Sequence, residues 1–261
     1  MVLQDVLAQV EAFFLVLVRL TSFMMTAPFF SIRNVPVLTK AGWGALLAVF
    51  LFPAVLPAVQ GDQAWGTPLV YSLAVVNEAL AGLALGYIAN LLFTAVRVAG
   101  EILDLNMGLA MANLLDPQNA APSTLLGQFF ALLGLFLFLA LDGHHALLLA
   151  LRESFRLLPL GGVPFTEELV ENVVGLWSSM FLWALRLVLP VLVVLVVADI
   201  SLSLVARTVP QLNVFILSFP LKVGLGLLTL IVFLPLLATA VGNLVAQMER
   251  DLALILKEWP R

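Results

Sequence analysis

Six stretches of this chain run apolar for about the length of a bilayer-crossing helix, and that constraint dominates everything else in the sequence. A spanning α-helix needs about 20 mostly apolar residues. The runs are about Ala12–Phe30, Gly42–Val59, Leu69–Val96, Leu125–Leu141, Val173–Ala198 and Leu212–Met248. They are too long for strands and show no alternation, so the expected class is all-α, a polytopic integral membrane protein. Composition agrees: 62% of residues are hydrophobic and 11% charged, with a mean hydropathy of +1.12. Soluble domains hold roughly 45–50% apolar and about 25% charged residues. Lipid or other subunits must therefore cover this chain.

Several functions are excluded early. The chain has no cysteine, which removes disulfides, thiolate metal sites and cysteine nucleophiles. No Lys/Arg cluster points to nucleic acid. Met1–Val18 carries Asp5 and Glu11 and no basic residue before Arg19, so the first helix is expected to be retained rather than cleaved as a signal. Glu167-Glu168 is followed by Asn172 where paired-glutamate membrane proteases place arginine, and no Gly-x-Ser-x-Gly, phosphate-loop or dinucleotide motif occurs. His144 and His145 are adjacent and should point to different helix faces, which reads as a turn at a helix end, not a metal site. No cofactor is expected.

Punctuation divides the runs. Pro53 and Pro57 end the second, and Gly61-Asp62-Gln63 reads as a turn. Arg152–Asn172 reads as an aqueous loop, and Pro220 and Pro235 are expected to break the last run into pieces. Residues 1–248 are assigned to the membrane domain and 249–261 to a short cytoplasmic tail. Arg33 and Lys40 place the first loop in the cytoplasm, and the Asp62 loop, lacking Lys and Arg, goes outside with the N-terminus. Six simple crossings would then return the C-terminus outside, yet Arg250, Lys257 and Arg261 mark it as cytoplasmic. At least one segment is therefore expected to be a re-entrant hairpin, a broken helix or a helix buried on other subunits.

The charges inside apolar runs are the candidate functional residues. Arg19, Glu78, Arg186, Asp199 and Lys222 lie within or at the end of such runs, with Arg207 just beyond one. Each costs roughly 2.5–3.5 kcal/mol at a helix centre. Long cations can snorkel to the interface, whereas Glu78 cannot reach far. The alternative is that these charges pair across helices or face water. Arg97, Glu101 and Asp104 share one helical face, and Met107 and Met111 follow at the same spacing around Gly108. Asp116-Pro117 then stops the helix. The mixture of small, polar and flexible residues from Asn106 through Asn113 to Asn119 suits neither lipid nor a plain solvated loop. Irregular backbone at membrane depth survives where protein or a water cavity surrounds it, and methionine makes a deformable constriction there. An ordinary cytoplasmic loop is the simpler reading.

Three blocks, in order and spacing, resemble the FliR family of flagellar export proteins and, more distantly, its injectisome counterparts. They are Arg19-Leu-Thr-Ser-Phe-Met-Met-Thr-Ala-Pro-Phe-Phe with Arg33-Asn-Val-Pro36 and Lys40; Glu78 to Gly86 with Ala99 to Ala112, Asp116-Pro117 and Leu141-Asp-Gly-His-His145; and Arg207 to Phe215 with Phe219-Pro-Leu-Lys222. Ser218 and Asn106 depart from the glycine and glutamine usual in the family. The resemblance implies kinked, partly hairpin-like helices in an export gate with FliP-like and FliQ-like subunits, in the bacterial inner membrane within the flagellar basal body. It implies FlhB at the cytoplasmic entrance, unfolded flagellar proteins as cargo, and a channel plug over Asn106, Met107, Gly108, Met111, Asn113, Asp116 and Pro117. The competing reading is a secondary transporter coupled through Glu78, Asp199 and Arg186. It lacks the paired halves usual in such proteins.

Overall fold

The computed structural model describes residues 2–28, 30, 36–59, 67–109, 124–162, 167–209, 211 and 213–259. Among them the regular structure is wholly α-helical: α1 Val2–Thr26, α2 Val37–Val59, α3 Pro68–Met107, α4 Leu125–Ala140, α5 Gly143–Leu157, α6 Glu167–Thr208 and α7 Val214–Glu258. Five of these (α1, α2, α3, α6 and α7) are long and apolar enough to cross a membrane, and α4 with α5 makes a sixth if the broken pair counts as one span. The chain divides into two units, the first of residues 1–91, 142–176 and 246–261, the second of 92–141 and 177–245.

In the first unit α1 buries Ala12, Leu15, Val16, Arg19, Leu20, Phe23 and Met24, a stripe at helical spacing. Helices α1 and α2 form an antiparallel hairpin. Phe13 meets Phe52 edge to face at 5.5 Å, and Gly44 faces Thr21. The N-terminal part of α3 runs alongside α1 in the same direction: Tyr71 donates to the Glu11 carbonyl at 3.3 Å, and Gly86 lies on Phe23 and Thr26. In the second unit the rest of α3 crosses α4 antiparallel at small residues. Gly100 rests on the Leu126 and Gly127 backbone, Gly134 on Val96, and Phe93 on Phe138 at 5.1 Å. Without side chains at the crossing, the two backbones approach closely.

Several boundaries differ from the sequence reading. Helix α3 does not end at Val96, because Ala95, Val96, Ala99, Leu103 and Met107 continue its buried stripe while Arg97 and Glu101 take the other face. The expected aqueous loop from Arg152 is helical to Leu157 and again from Glu167. Pro190, Pro220 and Pro235 do not break their helices. Each proline removes one backbone bond, and membrane helices tolerate that loss. Between α4 and α5 the chain does break. Asp142 takes φ 56, a left-handed conformation that aspartate tolerates better than most residues.

From residue 249 the chain continues α7 to Glu258. Leu252, Ile255, Leu256 and Trp259 are buried, so the last turns of α7 dock into the first unit. Glu249, Ala253 and Leu256 line one cavity with Ala54 and Val55. Val55 stands about one turn from Val59, so the C-terminal ends of α2 and α7 are neighbours. Charge counting separates these two ends, because it weighs the flanking Lys and Arg and ignores apolar packing. Cysteines introduced as A54C and A253C, in a chain with none of its own, should be joined by a short bifunctional thiol reagent in intact membranes. Failure to cross-link, while exposed control pairs react, would overturn this packing.

Candidate functional site

Gly82 lets α3 approach α1 so closely that a Cβ there would collide with the Arg19 carbonyl and Ser22 Oγ. One turn before Gly82, Glu78 is thereby brought onto Arg19. Both side chains are completely buried. Arg19 Nε donates to Glu78 Oε2 at 2.5 Å and Nη2 to Oε1 at 2.9 Å, the bidentate geometry that matches a guanidinium fork to a carboxylate. Nη1 donates to the Ser154 carbonyl at 3.1 Å, and Nη2 reaches the Leu158 carbonyl at 3.4 Å. The Phe155 ring lies 4.5 Å from the guanidinium carbon. Glu78 Oε1 also accepts from the Gly161 N–H at 2.7 Å. Gly161 has φ 74, so the turn that presents this N–H favours glycine. One ion pair thus joins α1, α3, the end of α5 and the turn after it. Arg19 does not snorkel. The sequence offered no signal for Ser154, Phe155 and Gly161, whose roles exist only once α5 has packed.

The second cluster frames the segment between α3 and α4. Asp104 is fully buried and its Oδ2 accepts from Leu126 N–H at 2.7 Å and Gly127 N–H at 3.2 Å. Thr124 Oγ1 accepts from the Gly127 N–H as well, at 3.3 Å. These groups satisfy free N–H donors at the start of α4, and a carboxylate is favoured there by the helix dipole. Asp104 therefore caps a helix instead of pairing with a cation. Arg97 and Glu101 pair with each other along α3 at 3.5 Å, both partly exposed. Met107 is buried, with its Sδ and Cε against Gly226 of α7. Gly108 has φ 83 and faces the Phe219 ring. Asn106 turns back to the Ile102 carbonyl at 2.7 Å. Met111, Asn113, Asp116 and Pro117 lie outside the described residues.

The third cluster joins α6 to α7. Lys222 Nζ bonds both Asp199 oxygens, at 2.9 and 3.0 Å. Arg186 and Arg207 are exposed and make no ion pair among the described residues. His144 and His145 do not diverge as the sequence suggested. Their rings lie 4.2 Å apart, and ligand-capable atoms of Asp142, His144 and His145 fall within 4.8 Å of one another. This trio is largely exposed at the start of α5, where the positive end of the helix dipole opposes a cation. It reads as a helix start.

These features define a polytopic α-helical membrane protein whose buried charges are taken up in interhelical bonds. Comparison with known proteins agrees. Residues 10–248 match the family described as bacterial export proteins, family 1. The chain is 36% identical to the flagellar biosynthetic protein FliR of Bacillus subtilis over 237 residues, 89% of each chain. It is 32% identical to FliR of Escherichia coli K12, covering 97% of this chain and 96% of that one, and 31% identical to FliR of Aquifex aeolicus, covering 86% of each. The chain belongs to the bacterial export protein family 1.

The Arg19–Glu78 pair makes a clear demand on stability. R19M or E78Q alone leaves a buried charge uncompensated and should cost about 3–5 kcal/mol. The double variant R19M/E78L should recover most of that loss, read as thermal unfolding in detergent and steady-state level in membranes. Single variants as stable as wild type would contradict the burial described.

Proposed function

We propose that this protein is a subunit of the protein-conducting export gate of a flagellar type III secretion apparatus, with a structural, non-enzymatic role. The observation that carries this reading is the mismatch between α6 and α7 and any bilayer. They hold 42 and 45 residues, about 63–68 Å at 1.5 Å per residue, against a hydrocarbon core of about 30 Å. Their apolar windows are more apolar than those of α1, α2 and α3, and only 22% and 17% of them is buried. Lipid can cover half such a helix. The rest needs other protein, as a subunit of a larger helical assembly would find it.

The partners that fit are FliP-like and FliQ-like gate subunits, with FlhB at the cytoplasmic entrance, in the inner membrane at the flagellar base. Unfolded flagellar proteins are the cargo. The segment from Asn106 to Asn119 is the proposed plug. Support for that comes from its frame: Asp104 ties the start of α4 to the end of α3, Thr124 caps α4 from within, and Met107 packs the near end against Gly226. A transporter reading loses two of its three coupling groups, because Glu78 and Asp199 are already engaged by Arg19 and Lys222.

Deleting Gly108 to Ala112 while keeping Arg97 to Asp104 should open an ion leak without preventing assembly. Membrane conductance, or growth under ionic stress, in cells making the whole gate gives the readout. An assembled deletion variant that leaks no more than wild type would make this segment an ordinary connector.

A further inference from the structure

The cavity between the C-terminal halves of α2 and α5 and the last turns of α7 is unaccounted for by the gate reading. Its volume is about 610 Å³, within the range of roughly 300–1,000 Å³ typical of small-molecule sites. Val55, Leu149, Leu256 and several alanines make its apolar walls, and four charged side chains share its lining. Two of those cancel, since Arg156 bonds Glu153 at 2.8 Å. The other two, Arg152 and Glu249, have no ion-pair partner among the described residues. The cavity therefore presents one available cation and one available anion over an apolar floor.

Its level along the helices adds a second constraint. The apolar run of α2 ends at Val59, about one turn beyond Val55, and that of α7 at Met248, next to Glu249. Two independent spans thus stop at this cavity, which is where hydrocarbon gives way to headgroups. A ligand at that level that is apolar at one end and carries both charges at the other is a zwitterionic phospholipid.

We propose that this cavity binds one phospholipid bearing a primary ammonium, of the phosphatidylethanolamine type. Arg152 donates to the phosphate oxygens, a pairing its guanidinium fork suits. Glu249 accepts from the ammonium N–H groups, and Val55, Leu149 and Leu256 hold the glycerol and upper acyl carbons. An anionic headgroup would leave Glu249 opposed. A trimethylated headgroup would offer it no N–H donor. The bound lipid would tie α2, α5 and α7 together within the first unit.

The test uses the full chain purified with its assembly in mild detergent and exchanged with phosphatidylethanolamine, phosphatidylcholine or phosphatidylglycerol of identical acyl chains. Native mass spectrometry should find one phosphatidylethanolamine retained per copy, in preference to both others. Losing one charged hydrogen bond should lower retention about tenfold or more. R152Q should lower retention of all three lipids, and E249Q that of phosphatidylethanolamine alone. Both residues are exposed, so helix content and co-purification should be unchanged. The wild-type ranking of the three lipids decides the matter even where a variant fails to assemble. Equal retention of the three lipids by wild type would overturn the proposal, as would variants that bind like wild type. So would a photo-cross-linker at Leu149 that captures only protein, which would mark the cavity as a subunit contact.

Discussion

Arg19 and Glu78 have no access to water, and the first unit is arranged around satisfying them. An isolated charge in such a place would cost several kcal/mol, so the pair is tolerable only because nearly every donor and acceptor it carries finds a partner. Those partners come from elements far apart in sequence: Ser154 and Leu158 at the end of α5, and the Gly161 turn beyond it. None of these bonds can form until α1, α3 and α5 are together. The apolar stripe of α1 would tolerate many registers against α3, whereas a bidentate pair tolerates one. Gly82 and Gly86 permit the close approach, and the pair selects the register at which it happens.

The second unit solves the same problem with less charge. Gly100, Gly127 and Gly134 bring α3 and α4 into backbone contact, and Asp104 spends its carboxylate on the free N–H groups at the start of α4. A helix start inside a packed unit needs such a partner, since water is not at hand to replace it. The same residue fixes the two ends of the segment from 110 to 123 relative to each other. The frame of the candidate plug is therefore built from ordinary helix chemistry: a cap, a left-handed glycine at Gly108, and a buried methionine.

How much of this the sequence carried depended on whether a feature was local. The all-α class and the apolar runs followed from composition and run length, which need no tertiary information. That Glu78 cannot snorkel followed from its side-chain length, but its partner did not, because fifty-nine positions separate it from Arg19. Met107 looked like deformable bulk from its type. It is packing against Gly226, a fact that depends on where α7 lies. Pro220 and Pro235 were overread, since each removes one backbone bond while the rest of α7 carries on. The histidines were underread: adjacent positions diverge within a regular helix, and His144 and His145 stand at its first turn behind a left-handed Asp142.

A chain built this way separates two kinds of surface, and the separation bears on how it works. Most embedded charges have partners within their own unit: Arg19 with Glu78, one oxygen of Asp104 with helix donors, Lys222 with Asp199, while Arg186 stays on the exposed face of α6. Outside, α6 and α7 leave large apolar side chains such as Phe181, Leu189, Ile200, Ile231 and Val232 uncovered along lengths no bilayer can match. Polar contacts are directional and costly to leave unmade, so a subunit that satisfies them internally can fold before it meets its partners. Apolar contacts are non-directional, and neighbours can cover those outer faces afterwards. Internal charge closure would give each unit its own shape, and the open apolar faces would supply the driving force for assembly. A protein-conducting gate needs both, because its subunits must keep their folds while the contacts between them yield to a passing chain.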